Sequence, residues 1–400
     1  MGHNIGRLLR KYLNLAIGNS SESILRFIFV ALFLQLQVII FSSLMLSTGP
    51  AFVEKHFSGF DFYDFYTASG EWIRGINPYL RRRFCTPPPS LLVGLSLHWA
   101  GFRAGHLLFA VINLALILTS VWVVARRLSL SNAARYWMAG ITLLYYPVLF
   151  LVERGNLDGL MLACLVFAAI SDRPWLRAAL IGLSAGLKLY SILLLVPLAR
   201  ERRWRAVAGI LLLLALLLLP FIHLLAPFGT AILNRGTEMT GTENLSPAVI
   251  LGGLAKTWIG KSIFLLFWAG TFLAAVTHEQ EKYAGRLILP YLPWMVAFPM
   301  QVYPYTGILL LPVLAWRVRQ IDGGSGAGVI GERRICLADM LFFLGFLFVG
   351  VQAPALTQYY RWLVYSHRFF HAFNYLGMIL ILIGTSLPRA NVKSDDLLRN

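Results

Sequence analysis

The sequence predicts an all-α integral membrane protein, a polytopic bundle of about twelve transmembrane helices. Three observations lead there. Charged residues make up only 13% of the 400 and hydrophobic ones 58%, whereas soluble domains carry about a quarter charged residues. Stretches such as 24–46 and 210–225 hold no charge after their first turn; in water they would expose long apolar surfaces, so their solvent is lipid. Finally, the basic residues that give the net charge of +17 gather in short clusters between apolar runs, as the positive-inside rule expects of cytoplasmic loops. A nucleic-acid partner is excluded, because no continuous basic stripe with interleaved aromatics exists. Disorder, a disulfide scaffold and a soluble enzyme are excluded by the same composition.

The elements follow in order. Apolar runs bounded by charge or Pro/Gly breaks predict spans at 24–46, 104–125, 135–151, 157–171, 176–187, 189–199, 206–225, 261–277, 287–302, 304–316, 336–356 and 370–388. The first is too long for a signal-peptide core and reads as an uncleaved anchor. With the N-terminus inside, seven short segments hold 21 of the 35 Lys and Arg residues. Both termini are therefore expected in the cytoplasm, with the chain forming a single membrane domain over 1–400. Residues 47–103 form a long first external loop, and loops of that length tend to be functional. The segment 321–334 is rich in glycine and reads as a flexible cytoplasmic linker.

Residues 176–199 must cross twice to keep the basic clusters on both flanks inside, and Lys188 sits at the break. Interrupted helices in a membrane commonly mark a binding site, since freed backbone groups need a cavity or ligand. A lysine in an apolar run is costly unless it is paired or faces such a cavity. The plainer alternatives are one long span with a misplaced loop, and a Lys188 that snorkels to the interface.

The first external loop carries the chemistry. Residues 61–73 suit a short interfacial helix, with Gly59 before its start and Gly75 at its end. Asp61 and Asp64 are three apart and share a helical face with Phe62, Phe65 and Tyr66. A carboxylate held among aromatic rings at a membrane surface is a better proton acceptor than one in open water. Alternatively, Asp61 caps the helix at its positive end. A phosphate-bearing substrate needs cations, and the external candidates are Arg74, Arg81, Arg82, Arg83, Arg154, Lys188, Arg361 and Arg368. Arg154 adjoins Glu153, which could neutralise it, and Arg81–Arg83 also suit anionic lipid headgroups. Asn156, which with Asp158 opens the span at 157–171, suits a sugar hydroxyl or a helix cap; Glu243 and Asn244 suit sugar contacts or plain loop polarity. Cys85, Cys164 and Cys336 have no metal spacing, and no phosphate-binding loop, nucleophile elbow or HExxH motif occurs.

The pattern DFYDFYTASGEWIRGINPY (61–79) followed by PPPSLL (87–92) resembles the first-loop signature of polyprenol-phosphate-dependent glycosyltransferases of the GT-C fold, closest to glycosyltransferase family 87. ERGNLDGLMLACL (153–165), LIGLSAGLKLYSILLLVPLARERRWR (180–205) and TENLSPAVIL (242–251) fit that family in the same order. The resemblance implies a GT-C-type bundle whose first loop carries juxtamembrane helices, with 87–101 outside the membrane. It implies a catalytic aspartate fourteen residues before the glycine of the G-x-x-P-Y turn, which is Asp61, with Asp64 as the spare. A polyprenyl-phosphate-linked sugar, mannose or another simple hexose or pentose, would be the donor, and a glycolipid or cell-envelope glycan the acceptor. Transfer would proceed with inversion, on the external face of the inner or plasma membrane, without cofactor or metal. Lys188, Arg154, Arg361 and Arg368 would hold the donor phosphate. Asn156, Asn244, Tyr303, Tyr305 and His367 would contact sugar or acceptor. The chain departs from the family late: QVYPYTG (301–307) has aromatics where many members have histidine. A lipid or solute transporter without chemistry is the rival reading, since broken helices and an intramembrane lysine suit it too.

Overall fold

The computed structural model describes residues 20–46, 60–80, 84–237, 258–278, 288–297, 304–322, 337–350 and 376–387. Every element among them is helical. In chain order the α-helices are α1 (Ser21–Leu46), α2 (Phe60–Ile73), α3 (Leu91–Ser96), α4 (Gly101–Arg127), α5 (Asn132–Leu144), α6 (Tyr146–Arg154), α7 (Asp158–Ile170), α8 (Pro174–Leu187), α9 (Leu195–Arg200), α10 (Trp204–Leu218), α11 (Leu225–Thr237), α12 (Trp258–His278), α13 (Leu292–Val296), α14 (Leu310–Asp322), α15 (Leu337–Gly350) and α16 (Leu376–Ser386). Short 3-10 turns join several of them.

By length and apolarity alone, two helical stretches among the described residues can cross a membrane, Pro88–Arg127, which turns at Gly101, and Trp204–Ile232, which kinks at Phe221. A third is α5 with α6 if that bent pair counts as one span. Among the described residues, the shorter apolar helices Asp158–Ile170, Leu189–Arg200, Leu265–Thr277, Ala338–Val349 and Leu376–Ser386 overlap five of the other predicted spans. The apolar faces of α10 and α12 stay uncovered, with Leu212, Leu216, Ile263 and Leu266 exposed, as lipid-facing helices require.

At the centre lies α7, which is buried around nearly its whole circumference from Asp158 to Ala169. It packs between α4 and α8, and α8 in turn packs on α10. A helix without a polar face needs neighbours on all sides, so α7 is the post around which the others stand. Its far end is held by Arg177, whose Nη2 donates to Ser171 O at 2.5 Å and whose Nε donates to Ala168 O at 3.2 Å. Those carbonyls are among the last of α7 and have no helical partner of their own.

Three apolar segments are not plain rods, one of them as the sequence leads one to expect. Residues 135–151 bend by 52° between α5 and α6, where Tyr145 is extended and Pro147 opens the second helix. Proline has no N–H to continue the ladder. The run 206–225 ends in a 3-10 stretch, Leu219–Leu224, with Phe221 off helical geometry just after Pro220. The chain then continues as α11 through Thr237, inside what reads as a loop in the sequence. The third is 176–199, where the expected break is present: α8 stops at Leu187, Lys188 is extended, and a 3-10 turn runs from Leu189 to Leu194 before α9. Ser184 and Ser191 hydroxyls meet at 2.7 Å across that break.

In the described part of the first loop, residues 60–80 and 84–103, two glycines mark breaks between elements. The helix α2 ends before Gly75, whose φ is +74°. Gly101, with φ +73°, separates the turn at His98–Ala100 from α4. This break makes 88–100 a unit distinct from the long helix after it. The unit docks on α2: a Cβ at Gly94 would overlap Ser69 Oγ and the Phe65 carbonyl, and His98 stacks on Tyr66 with ring centroids 4.1 Å apart.

Candidate functional site

The site forms where three interruptions of helical structure meet. One is the turn between α6 and α7, one is the break at Lys188, and the third is the 3-10 segment Pro304–Leu309, which packs on both α6 and α7. Backbone groups released from helices need partners in a dry environment, and polar side chains gather there for the same reason.

Asp61 lies inside the first turn of α2, so it is a helical residue and not the residue before the helix. Its Oδ2 accepts a hydrogen bond at 2.8 Å from Asn156 Nδ2, ninety-five positions along the chain. Asn156 is itself fixed: its Oδ1 accepts from the Asp158 N–H at 3.3 Å, and its backbone carbonyl accepts from Asn113 Nδ2 on α4 at 3.1 Å. The N-cap of α7 is Leu157 and not Asn156, whose side chain instead closes a turn on the first residue of the helix. The amide oxygen faces the start of α7 and the amide nitrogen faces Asp61.

Gly155 makes this approach possible. It ends α6 in the left-handed region, φ +66°, and a Cβ there would come within 2.8 Å of Phe62 Cβ and 2.9 Å of the His106 ring. Phe62 is fully buried, against Phe65, Phe102, Phe109 and His106. Its burial seats α2 on the rest of the molecule and sets the height of Asp61.

Two residues beyond Asn156, the fully buried carboxylate of Asp158 collects polar groups from two further elements. Tyr190 donates to Oδ1 at 2.6 Å, Thr306 donates to Oδ2 at 2.9 Å, and Lys188 Nζ lies 3.6 Å from Oδ1. Lys188 keeps 14% of its side chain exposed. Asp158 also opens α7, where the positive end of the helix favours an anion. Lys188 therefore has its counter-charge in Asp158.

The structure thus brings Asp61, Asn156 and Lys188 into one connected group. Arg154 sits two residues before Asn156, with its guanidinium over the Phe150 ring at 4.9 Å. Asp64, three residues on from Asp61, is half-buried on α2. Tyr305 belongs to the segment that supplies Thr306, and only its backbone is described. Asn244, Tyr303, Arg361, His367 and Arg368 lie outside the described residues. Sequence reasoning missed Tyr190, Thr306, Asn113 and His106, and it read Asp158 only as a polar residue opening a span. The one available signal was electrostatic: a lysine in an apolar run demands a carboxylate, and Asp158 begins the most apolar of the neighbouring runs. In the same loop, burial pushes the Tyr79 phenol above its ordinary range, with Cys85 adding to the effect; it remains a donor, to Thr86 O at 2.8 Å.

Described residues that are all helical, with membrane-length apolar helices and carboxylates gathered at helix breaks, define a membrane protein with an internal polar site. The chain matches the family model of glycosyltransferase family 87 over residues 84–278, the family its sequence resembles. That family implies a glycosyltransferase in the membrane, with a sugar donor and an acceptor as its substrates. The matched segment contains Asn156, Asp158 and Lys188 and begins after Asp61. No curated protein matches the chain.

Proposed function

We propose that this protein is a GT-C-type glycosyltransferase that moves mannose from a polyprenyl-phosphate donor to a glycolipid or envelope glycan on the external face of the plasma or inner membrane. About twelve crossings, several made by the shorter and broken helices, would carry it through the bilayer. The observation that supports the reading best is the Asp61–Asn156 hydrogen bond, which ties the first-loop carboxylate to the broken-helix cluster holding Lys188.

In this reading Asp61 takes the proton from an acceptor hydroxyl as its oxygen attacks the anomeric carbon. The bond from that carbon to the phosphate oxygen breaks, and its electron pair leaves with polyprenyl phosphate. A single displacement inverts the anomeric centre. Lys188 and Arg154 meet the phosphate, with Arg361 and Arg368 from the last loop. Asp158 and Lys188 cancel each other in charge, so the arginines are needed for a net positive site. Asn244, Tyr303, Tyr305 and His367 line the sugar and acceptor space, and Asp64 stands in reserve beside Asp61.

The test is reconstitution in liposomes with radiolabelled polyprenyl-phosphate mannose and a membrane extract as the acceptor source. Labelled glycolipid is the expected product. Label that crosses the bilayer still attached to its donor, with none transferred, would make the protein a carrier. Lys188→Ala should weaken donor binding by about 1.5–3 kcal/mol, about 10- to 100-fold; unchanged affinity would leave the phosphate to the arginines alone.

A further inference from the structure

We infer that the turn at residues 156–158 is a positioning device that aims two groups from one piece of backbone: Asn156 positions Asp61, and Asp158 positions Lys188. The inference rests on the reading of Asp61 as general base and of Lys188 as a phosphate ligand, and it adds residues that this reading does not assign to those tasks.

The geometry carries it. Asn156 Oδ1 is taken by the Asp158 N–H, so the amide nitrogen must face the other way, and there it meets Asp61 Oδ2. An amide has a nitrogen that donates and an oxygen that accepts; the helix start therefore decides which end reaches the carboxylate. With Oδ2 held, Oδ1 of Asp61 is presented to a substrate hydroxyl. Asn113, reaching from α4 to the Asn156 carbonyl, keeps the turn from rocking. The close packing of Gly155 on Phe62 and His106 fixes its distance from α2.

Asp158 does the same for the cation. Its Oδ2 is taken by Thr306 and its Oδ1 by Tyr190. Those two bonds hold the carboxylate still, with the Lys188 ammonium beside it. One residue, Leu157, separates the two positioning side chains, and it is buried. Base and cation are thereby set relative to each other across a single rigid turn and not by two independent loops. An in-line displacement needs this, because the attacking hydroxyl and the leaving phosphate stand on opposite sides of one carbon.

The test separates holding the turn from positioning Asp61. In Asn156→Ser the hydroxyl can still accept from the Asp158 N–H, since serine closes the same kind of side-chain turn as asparagine. It is too short to reach Asp61. The expected result, on the full-length protein in liposomes, is a kcat lower by about 10²-fold with the donor KM and the melting temperature unchanged. Asp158→Asn keeps an acceptor oxygen for one of the two hydroxyls, offers the other an N–H that it can accept from, and removes the charge beside Lys188. Its expected signature is the opposite split, a donor KM raised by about 10-fold or more with the smaller effect on kcat. Wild-type kcat in Asn156→Ser would overturn the role of Asn156. Parallel losses in kcat, KM and melting temperature in both variants would reduce the turn to a structural element. Wild-type protein without any transfer would instead overturn the underlying reading, and the positioning roles with it.

Discussion

Lys188 shows how a single residue can be conspicuous in a sequence while its partner is not. A charge amid ILLLV and SAGL stands out at once, but nothing in spacing links position 188 to position 158. Only the packing of α7 against α8 does so. The short helix that carries Asp61 was legible for a different reason, since glycines flank it and its aromatic residues repeat at helical spacing. The pairing makes a prediction. Asp158 is fully buried and Lys188 nearly so, and removing one member of a buried pair leaves an uncompensated charge, which costs about 3–5 kcal/mol. Lys188→Ala should therefore lower the melting temperature of the detergent-solubilised protein markedly. Adding Asp158→Asn should recover part of that loss, because the stranded charge is gone. Strictly additive losses in the double variant would show that the two charges are not coupled. Gly155→Ala offers a second check at this scale, since it adds positive-φ strain of about 1–2 kcal/mol and pushes on Phe62 and His106. It should reduce both stability and sugar transfer, and a variant with wild-type transfer would separate the seat of α2 from the site.

Among the described residues many helix positions, and the break at Lys188, were legible from apolar runs, whereas the other bends and the close contacts were not. The 52° bend between α5 and α6 had a cue in Tyr145-Tyr146-Pro147, but proline tolerates a straight first turn as readily as a kink. The crossing of α15 and α16 had less of one. There Gly345 and Gly377 face each other so closely that a Cβ on Gly377 would lie 2.7 Å from the Gly345 carbonyl oxygen, and Gly384 sits as tightly against Ala338. Small residues let membrane helices approach backbone to backbone. A buried ion pair joins α14 to this crossing: Arg317 lies 3.7 Å from Asp339 and donates to Gly384 O at 3.1 Å. Gly345→Leu should thus destabilise by about 1–3 kcal/mol through overpacking, measured as a fall in melting temperature. Gly229→Ala is the control, as a Cβ there meets nothing within 4 Å; equal losses in the two would contradict the packing account.

For the molecule as a whole, the charge pattern of the sequence predicts which end of the bundle faces out. Single cysteines at Ser58 and Gly241 should react with an impermeant thiol reagent in intact cells, and cysteines at Ser131 and Gly324 only after lysis. Ser131 is the exposed cap of α5, its hydroxyl accepting from Ala134 N at 3.1 Å, so it is reachable from its own side. Labelling at Ser131 from outside would invert the threading and place the Asp61 cluster in the cytoplasm. The central claim is that the polar cluster at the helix breaks performs sugar transfer with Asp61 as its base. The most direct measurement compares transfer from a radiolabelled polyprenyl-phosphate sugar by wild type, Asp61→Asn and Asp64→Asn in the same liposomes. Asparagine keeps the shape of Asp61 but cannot take the proton, so turnover should fall by about 10²- to 10⁴-fold with donor binding intact, while Asp64→Asn should cost far less. Transfer at the wild-type rate by Asp61→Asn would contradict the account.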